Sequence, residues 1–85
     1  MRKLLFFHAS WCPPCKLFER ELINPISEQV KPEQVMKINV QENPFLADRY
    51  GIRRLPAAVL IENGKVVFYA GLPDLNKAVG FLNGR

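Results

Sequence analysis

Apolar residues follow three rhythms along this chain, and each predicts a different element. Leu4, Leu5, Phe6 and Phe7 are consecutive, as in a strand covered on both faces, and predict a first strand over 3–9. From 14 to 23 the spacing turns helical, with Leu17, Phe18, Leu22 and the stem of Lys16 available to pack. Pro25 cannot sit in an unbroken helix interior. Asn24-Pro25 therefore predicts an N-cap followed by Pro at the first helical position, with Ile26 and Val30 extending the buried stripe. Over 35–40 the rhythm alternates as in a strand: Met36, Ile38 and Val40 face one way, Lys37 and Asn39 the other. Asn43-Pro44 repeats the cap signal and Gly51 supplies a stop, which predicts a short helix over 44–50. Residues 57–61 read as a third strand, Asn63-Gly64 as a tight hairpin turn and 65–70 as the returning strand. Asp74 then caps a last helix, with Leu75, Ala78, Val79 and Leu82 at helical spacing. The order is βαβαββα, an α/β arrangement in one domain over 1–85. Two helical crossovers require a parallel pair among the first three strands, and the hairpin adds an antiparallel edge.

Composition narrows the class of protein. A chain of 85 residues has room for one modest core, and 48% hydrophobic with 24% charged residues is ordinary for a globular domain. No apolar run approaches the roughly 18 residues of a membrane span. The start Met1-Arg2-Lys3-Leu4-Leu5-Phe6-Phe7 mimics a signal peptide, but His8 and Ser10 end the apolar run early, so no cleaved signal is expected. The expected compartment is the cytoplasm, where two cysteines point to redox chemistry or metal binding rather than a structural staple. The net charge of +4 is dispersed over six lysines and six arginines, with only Arg2-Lys3 and Arg53-Arg54 adjacent. No basic run interleaved with aromatics is present, which argues against nucleic acid as a partner. A monomer with no nucleic-acid or membrane partner is the expectation.

The chemistry lies in Trp11-Cys12-Pro13-Pro14-Cys15-Lys16, which holds the only two cysteines. A strand that turns into a helix through C-x-x-C is the thiol–disulfide redox arrangement. Helical backbone after Cys12 brings the two sulfurs within disulfide reach. It also leaves Cys12 at the helix N-terminus, where free N–H groups and the helix dipole favour the thiolate, the species that attacks disulfides. Cys12 is expected to be the more exposed thiol and Cys15 the buried one. Trp11, beside the nucleophile, shapes a flat and partly apolar contact surface. Pro13 and Pro14 stiffen the loop between the cysteines. Zinc would need ligands beyond these two cysteines, from another chain or other side chains such as His8.

With these residues the chain resembles the thioredoxin family over nearly its whole length. The resemblance is carried by the Trp11–Lys16 hexapeptide, by Ile38-Asn39-Val40-Gln41-Glu42-Asn43-Pro44, by Tyr50-Gly51-Ile52-Arg53-Arg54-Leu55-Pro56 and by Asn63-Gly64. It implies a four-stranded mixed sheet in the order 2-1-3-4, with the first and last helices on one face and the second on the other. It also implies reduction of disulfide-containing protein substrates through a mixed disulfide, with electrons from an upstream reductase or a small thiol. No cofactor is implied beyond the redox-active Cys12/Cys15 pair. A cis Leu55–Pro56 bond is implied, with the backbone before it pairing to the substrate strand.

The departures from the family are specific. The first strand and helix of full-length members are absent, giving a minimal, glutaredoxin-sized form. Pro13-Pro14 replaces the usual dipeptide, and Arg54 replaces a common glycine. Phe6 replaces a buried Asp that would lie beneath Cys15, so Cys15 should hold its proton longer. Lys37, the usual companion of that Asp, should turn its amine to solvent and bury only its stem. His8 stands in place of an aromatic and reads as a packed, hydrogen-bonded strand residue. Arg53 and Arg54 read as solvated loop charges or, more sharply, as a basic rim that attracts acidic substrates. The alternatives are a disulfide oxidase or isomerase of the same fold, a binding subunit of a larger complex, or a metal or iron–sulfur site bridged by a dimer at the C-x-x-C.

Overall fold

The computed structural model describes residues 1–70 and 74–84. Strands β1 (Arg2–His8), β2 (Val35–Asn39), β3 (Ala57–Glu62) and β4 (Lys65–Ala70) form one mixed sheet in the order β2-β1-β3-β4. β1 runs parallel to β2 and antiparallel to β3, and β3 runs antiparallel to β4. Parallel pairing demands a long crossover. It is supplied by α1 (Pro13–Phe18), a π-helical turn (Glu19–Ile23) and α2 (Asn24–Ser27). Helix α3 (Pro44–Arg49) joins β2 to β3, and α4 (Leu75–Leu82) follows β4.

Both cores are built on β1. Successive side chains of a strand point to opposite faces. Leu4 and Phe6 join Ala58 and Leu60 of β3 beneath Phe18, Ile23 and Ile26 of the crossover and Ala78, Val79 and Leu82 of α4. On the opposite face Leu5 and Phe7 join Ile38, Val59 and Ile61, covered by Leu46, Ala47, Tyr50 and Ile52. The crossover and α4 thus share one face and α3 covers the other, as the resemblance implies. Gln34, in a 3-10 turn before β2, ties the layers at one end. Its buried amide donates to the carbonyls of Arg2 and Leu82, at 3.2 and 2.6 Å.

The turn residues act as their chemistry dictates. Asn63 and Gly64 both take positive φ (53° and 83°), the requirement of a type I′ hairpin. Gly51 ends α3 with φ 66°. Asp74 caps α4 by accepting the Asn76 N–H at 2.9 Å. The β3–β4 register shifts between Leu60 and Ile61, a bulge in the hairpin.

Two expected caps are not made. Asn24 has helical dihedrals (φ −64°, ψ −44°) and lies inside a continuous run of helical backbone rather than at a new start. Pro25 lacks the N–H that would bond to the Glu21 carbonyl. The ladder accommodates it by widening, with the Asn24 N–H donating to the Glu19 carbonyl five residues back. Asn43 does precede α3, but its side chain makes no cap bond; its amide donates to the Asn39 carbonyl at 3.2 Å. Met36 and Ile38, expected on one face of β2, differ in burial: Ile38 is 4% exposed and Met36 42%, on a strand at the sheet edge.

The layering makes a direct prediction. Ile26→Ala, at a site with 0% exposure, should lower unfolding free energy by about 2–5 kcal/mol in denaturant melts. Phe45→Ala, at 87% exposure, should stay within about 0.5 kcal/mol of the parent. Equal losses for the two would contradict the assignment of Ile26 to the core.

Candidate active site

β1 delivers the chain to the site. After His8 the backbone turns, the Cys12 N–H donating to the Ala9 carbonyl at 3.3 Å, and enters α1 at Pro13. The turn is pinned to the loop after β2: Gln41 Oε1 accepts from the Ser10 hydroxyl at 2.9 Å and the Ser10 N–H at 3.3 Å. This brace escaped sequence reasoning, because nothing local links residues 31 positions apart.

Cys12 is the N-cap of α1, with extended backbone (φ −110°, ψ 92°). Pro13 and Pro14 occupy the first two helical positions, where a missing N–H costs nothing. The first N–H of the helix therefore belongs to Cys15, and it is shared between the Cys12 carbonyl at 3.1 Å and Cys12 Sγ at 3.2 Å. The two sulfurs form a disulfide across a Cα–Cα distance of 5.3 Å. In this oxidised form Cys12 is 4% exposed and Cys15 2%, so exposure does not separate their roles as expected. Both lie in one buried cluster; what differs is position, Cys12 being the N-cap of α1 and Cys15 its third residue.

Phe6 lies in the same buried cluster as both cysteines, at 0% exposure. Its ring stacks on Phe18 (centroids 5.6 Å apart) and on His8 (5.3 Å). His8 is packed as expected, but its imidazole makes no hydrogen bond to a described residue; stacking on Phe6 takes the place of that bond. Lys37 also differs from expectation. It lies beside Phe6 in the β1–β2 register, and its amine is held rather than free in solvent. Glu19 Oε2 lies 2.7 Å from Nζ, and Asn24 Oδ1 accepts from Nζ at 2.9 Å. The π-helical turn presents Glu19 and the first residue of α2 presents Asn24, so the lysine is anchored on the crossover.

Two open grooves flank the disulfide. One, of about 270 Å³, is lined by Trp11, Val40, Ala47, Ile52, Arg53, Arg54 and Leu55. That volume accepts one or two side chains and is small for an organic cofactor. Trp11 is 65% exposed and forms one wall. The other groove runs along α1 past Pro14, Leu17, Phe18, Glu21, Leu22 and Pro56. The Leu55–Pro56 peptide between them is cis. The structure thus gathers Trp11, Arg54 and Leu55 on one groove and Pro14 and Pro56 on the other, with Leu55 packed against the cluster that holds Phe6, Cys12 and Cys15, and His8 stacked on Phe6. Pro13 is exposed between the cysteines, and Lys37 faces the crossover. Among the described residues no three His, Cys, Asp or Glu side chains come together to hold a metal ion. None of the described helices is long and apolar enough to cross a membrane.

Comparison with known proteins agrees with this geometry. The Thioredoxin family model matches residues 2–82. A thioredoxin of Rickettsia felis is 41% identical over 82 residues, covering 94% of this chain and 77% of its own length. The structure of a mutant thioredoxin of Halobacterium salinarum is 36% identical with a TM-score of 0.69, over 96% of this chain and 72% of that one. The germline-specific thioredoxin Deadhead of Drosophila melanogaster is 25% identical with a TM-score of 0.76, over 96% and 78%.

The N-cap geometry predicts the order of alkylation. After reduction, iodoacetamide at neutral pH should label Cys12 well before Cys15, as read by peptide mass mapping. Faster labelling of Cys15 would reverse the roles drawn from the helix end.

Proposed function

The chain belongs to the thioredoxin family and is a thiol–disulfide oxidoreductase, and we propose that Cys12 is its attacking thiolate and Cys15 its resolving one. The observation that carries these roles is the disulfide at the start of α1, with Cys12 Sγ among the acceptors of the first helix N–H.

In the reduced form, the Cys12 thiolate attacks one sulfur of a substrate disulfide. The other substrate sulfur leaves with the bonding electrons and takes up a proton. The mixed disulfide is then attacked by the Cys15 thiolate at the Cys12 sulfur, which releases the second substrate sulfur. Two electrons have passed to the substrate, and the Cys12–Cys15 bond remains. A dithiol donor or a reductase must return two electrons and two protons. No further cofactor enters this scheme; the cystine itself carries the electrons. The substrate strand would lie against Trp11 and the backbone before Pro56, an exposed and largely apolar surface beside Cys12. A monomer in the cytoplasm, where dithiols are kept reduced, suits this chemistry.

The two thiols meet different environments. Cys12 gains from a donated N–H and the helix dipole, which favour the thiolate. Cys15 sits in an apolar cluster in which Phe6 offers no proton acceptor, so burial favours its thiol form. Attack should be ordinary and resolution slow.

Two measurements check this. Insulin reduction in the presence of dithiothreitol should be fast with the parent protein and fall to the uncatalysed rate with Cys12→Ser; equal rates would refute the proposal. Stopped-flow decay of the mixed disulfide should speed up with pH, by about ten-fold per unit while Cys15 remains mostly protonated. In a folded Phe6→Asp protein that decay should be faster near pH 7, and an unchanged rate would show that the missing acid is not limiting.

A further inference from the structure

The charges around the disulfide are divided between the two grooves, and this names a substrate class. The groove against Trp11 has two cations, Arg53 and Arg54, and no carboxylate among its lining residues. The groove along α1 has one carboxylate, Glu21, and no cation. Both arginines are exposed, and neither has a carboxylate within 4.0 Å among the described residues. Two other arginines are occupied: Arg2 pairs with Glu62 at 3.0 Å and lies over the Phe81 ring, and Arg49 lies over the Tyr50 ring; Arg20 is exposed and unpaired among the described residues, but it lines neither groove. The remaining walls at Arg53 and Arg54 are Trp11, Val40, Ala47, Ile52 and Leu55, all apolar. Two uncompensated cations beside low-dielectric walls focus a positive potential on the groove. A guanidinium half-shielded by a docked chain makes stronger hydrogen bonds to a carboxylate than one in open water.

We infer that Arg53 and Arg54 are specificity residues that select protein disulfides with Asp or Glu flanking the attacked cysteine on the Trp11 side. The inference rests on the reductase reading above. An extended segment advances about 3.3 Å per residue, so a carboxylate one to three residues from the cysteine bonded to Cys12 falls along this wall. Trp11 lies directly before Cys12, and Leu55 directly before the cis proline, so the two arginines border the path such a segment takes. Arg54 is the more telling residue. A small residue there would leave the groove mouth with one cation; two adjacent cations make the preference for an anion explicit.

The test uses three synthetic peptides that share one intramolecular disulfide loop and differ only in two flanking residues: Asp-Asp, Asn-Asn or Lys-Lys. Stopped-flow fluorescence of Trp11, the single tryptophan of the chain, follows their reduction by the reduced protein. Each rate is divided by that of dithiothreitol with the same peptide, which removes differences in intrinsic disulfide reactivity. With the parent protein the Asp peptide should react about ten-fold faster than the Lys peptide at low salt, and the ratio should shrink as salt screens exposed charges. Arg53→Gln with Arg54→Gln should bring the ratio to about two or less, and Arg53→Lys with Arg54→Lys, which keeps the charge but loses the guanidinium fork, should keep only part of it. Asp and Lys peptides reduced within two-fold of one another by the parent protein at low salt would overturn the inference and leave the reductase reading intact. A preference that survives the double Gln variant would place its source elsewhere on the +4 surface, and would likewise overturn it. Failure to reduce any of the three peptides would instead refute the reductase reading itself, and the inference with it.

Discussion

The run Leu4-Leu5-Phe6-Phe7 is at most 3% exposed at every position, and that single constraint organises the molecule. A strand with apolar side chains on both faces needs a layer over each. Full burial of such a side chain contributes about 1.5–3 kcal/mol, so the four together contribute about 6–12 kcal/mol, comparable to the net stability of a whole domain. The crossover and α4 satisfy one face, and α3 the other. With β1 central and β2 parallel to it, the connection must leave the end of β1 as a helix. Cys12 and Cys15 sit at that junction. The rigidity of the site is therefore inherited from the most deeply buried strand of the fold.

From that placement follow the different roles proposed for the two sulfurs, with no charged residue buried among the described ones. The helix end favours negative charge by about 0.3–1 kcal/mol, and a donated N–H adds to it. Two prolines make the Cys15 N–H the first donor of the helix, and the Cys12 carbonyl and sulfur share it. Cys15, one helical turn deeper, has Phe6 and Phe18 in its cluster. A thiolate there loses water without gaining a partner. The lysine that could have served a buried acid is instead bound to Glu19 and Asn24 on the crossover. Such a half-exposed ion pair contributes little to stability, about 0–1 kcal/mol, but it fixes where the cation lies.

Features set by neighbours in sequence were legible from the chain. The four-residue apolar run, Asn63-Gly64, Gly51 and Asp74 each act through their own backbone preferences, and each is found where those preferences put it. The C-x-x-C at a strand-to-helix junction was legible for the same reason, since the spacing and the helix fix the sulfur separation. What failed were inferences that turn on a competing partner. Asn24-Pro25 has the look of a cap, yet the helix absorbs Pro25 by widening one turn, and Asn24 spends its side chain on Lys37 of β2. Asn43 reaches back to Asn39, and among the described residues His8 finds the Phe6 ring rather than a hydrogen-bond partner. The Ser10–Gln41 brace and the Gln34 clamp join distant segments, and no local rhythm announces them.

The most direct test of the account is to trap its intermediate. A reduced Cys15→Ser protein, mixed with a protein disulfide, should accumulate a covalent adduct. Mass mapping should place the bond on Cys12, and dithiothreitol should release it. A reduced Cys12→Ser protein treated in the same way should remain largely free, because its buried Cys15 lacks the helix-end donor. An adduct that forms chiefly on Cys15, or equally on the two variants, would contradict the assignment of attack to the sulfur at the helix N-terminus.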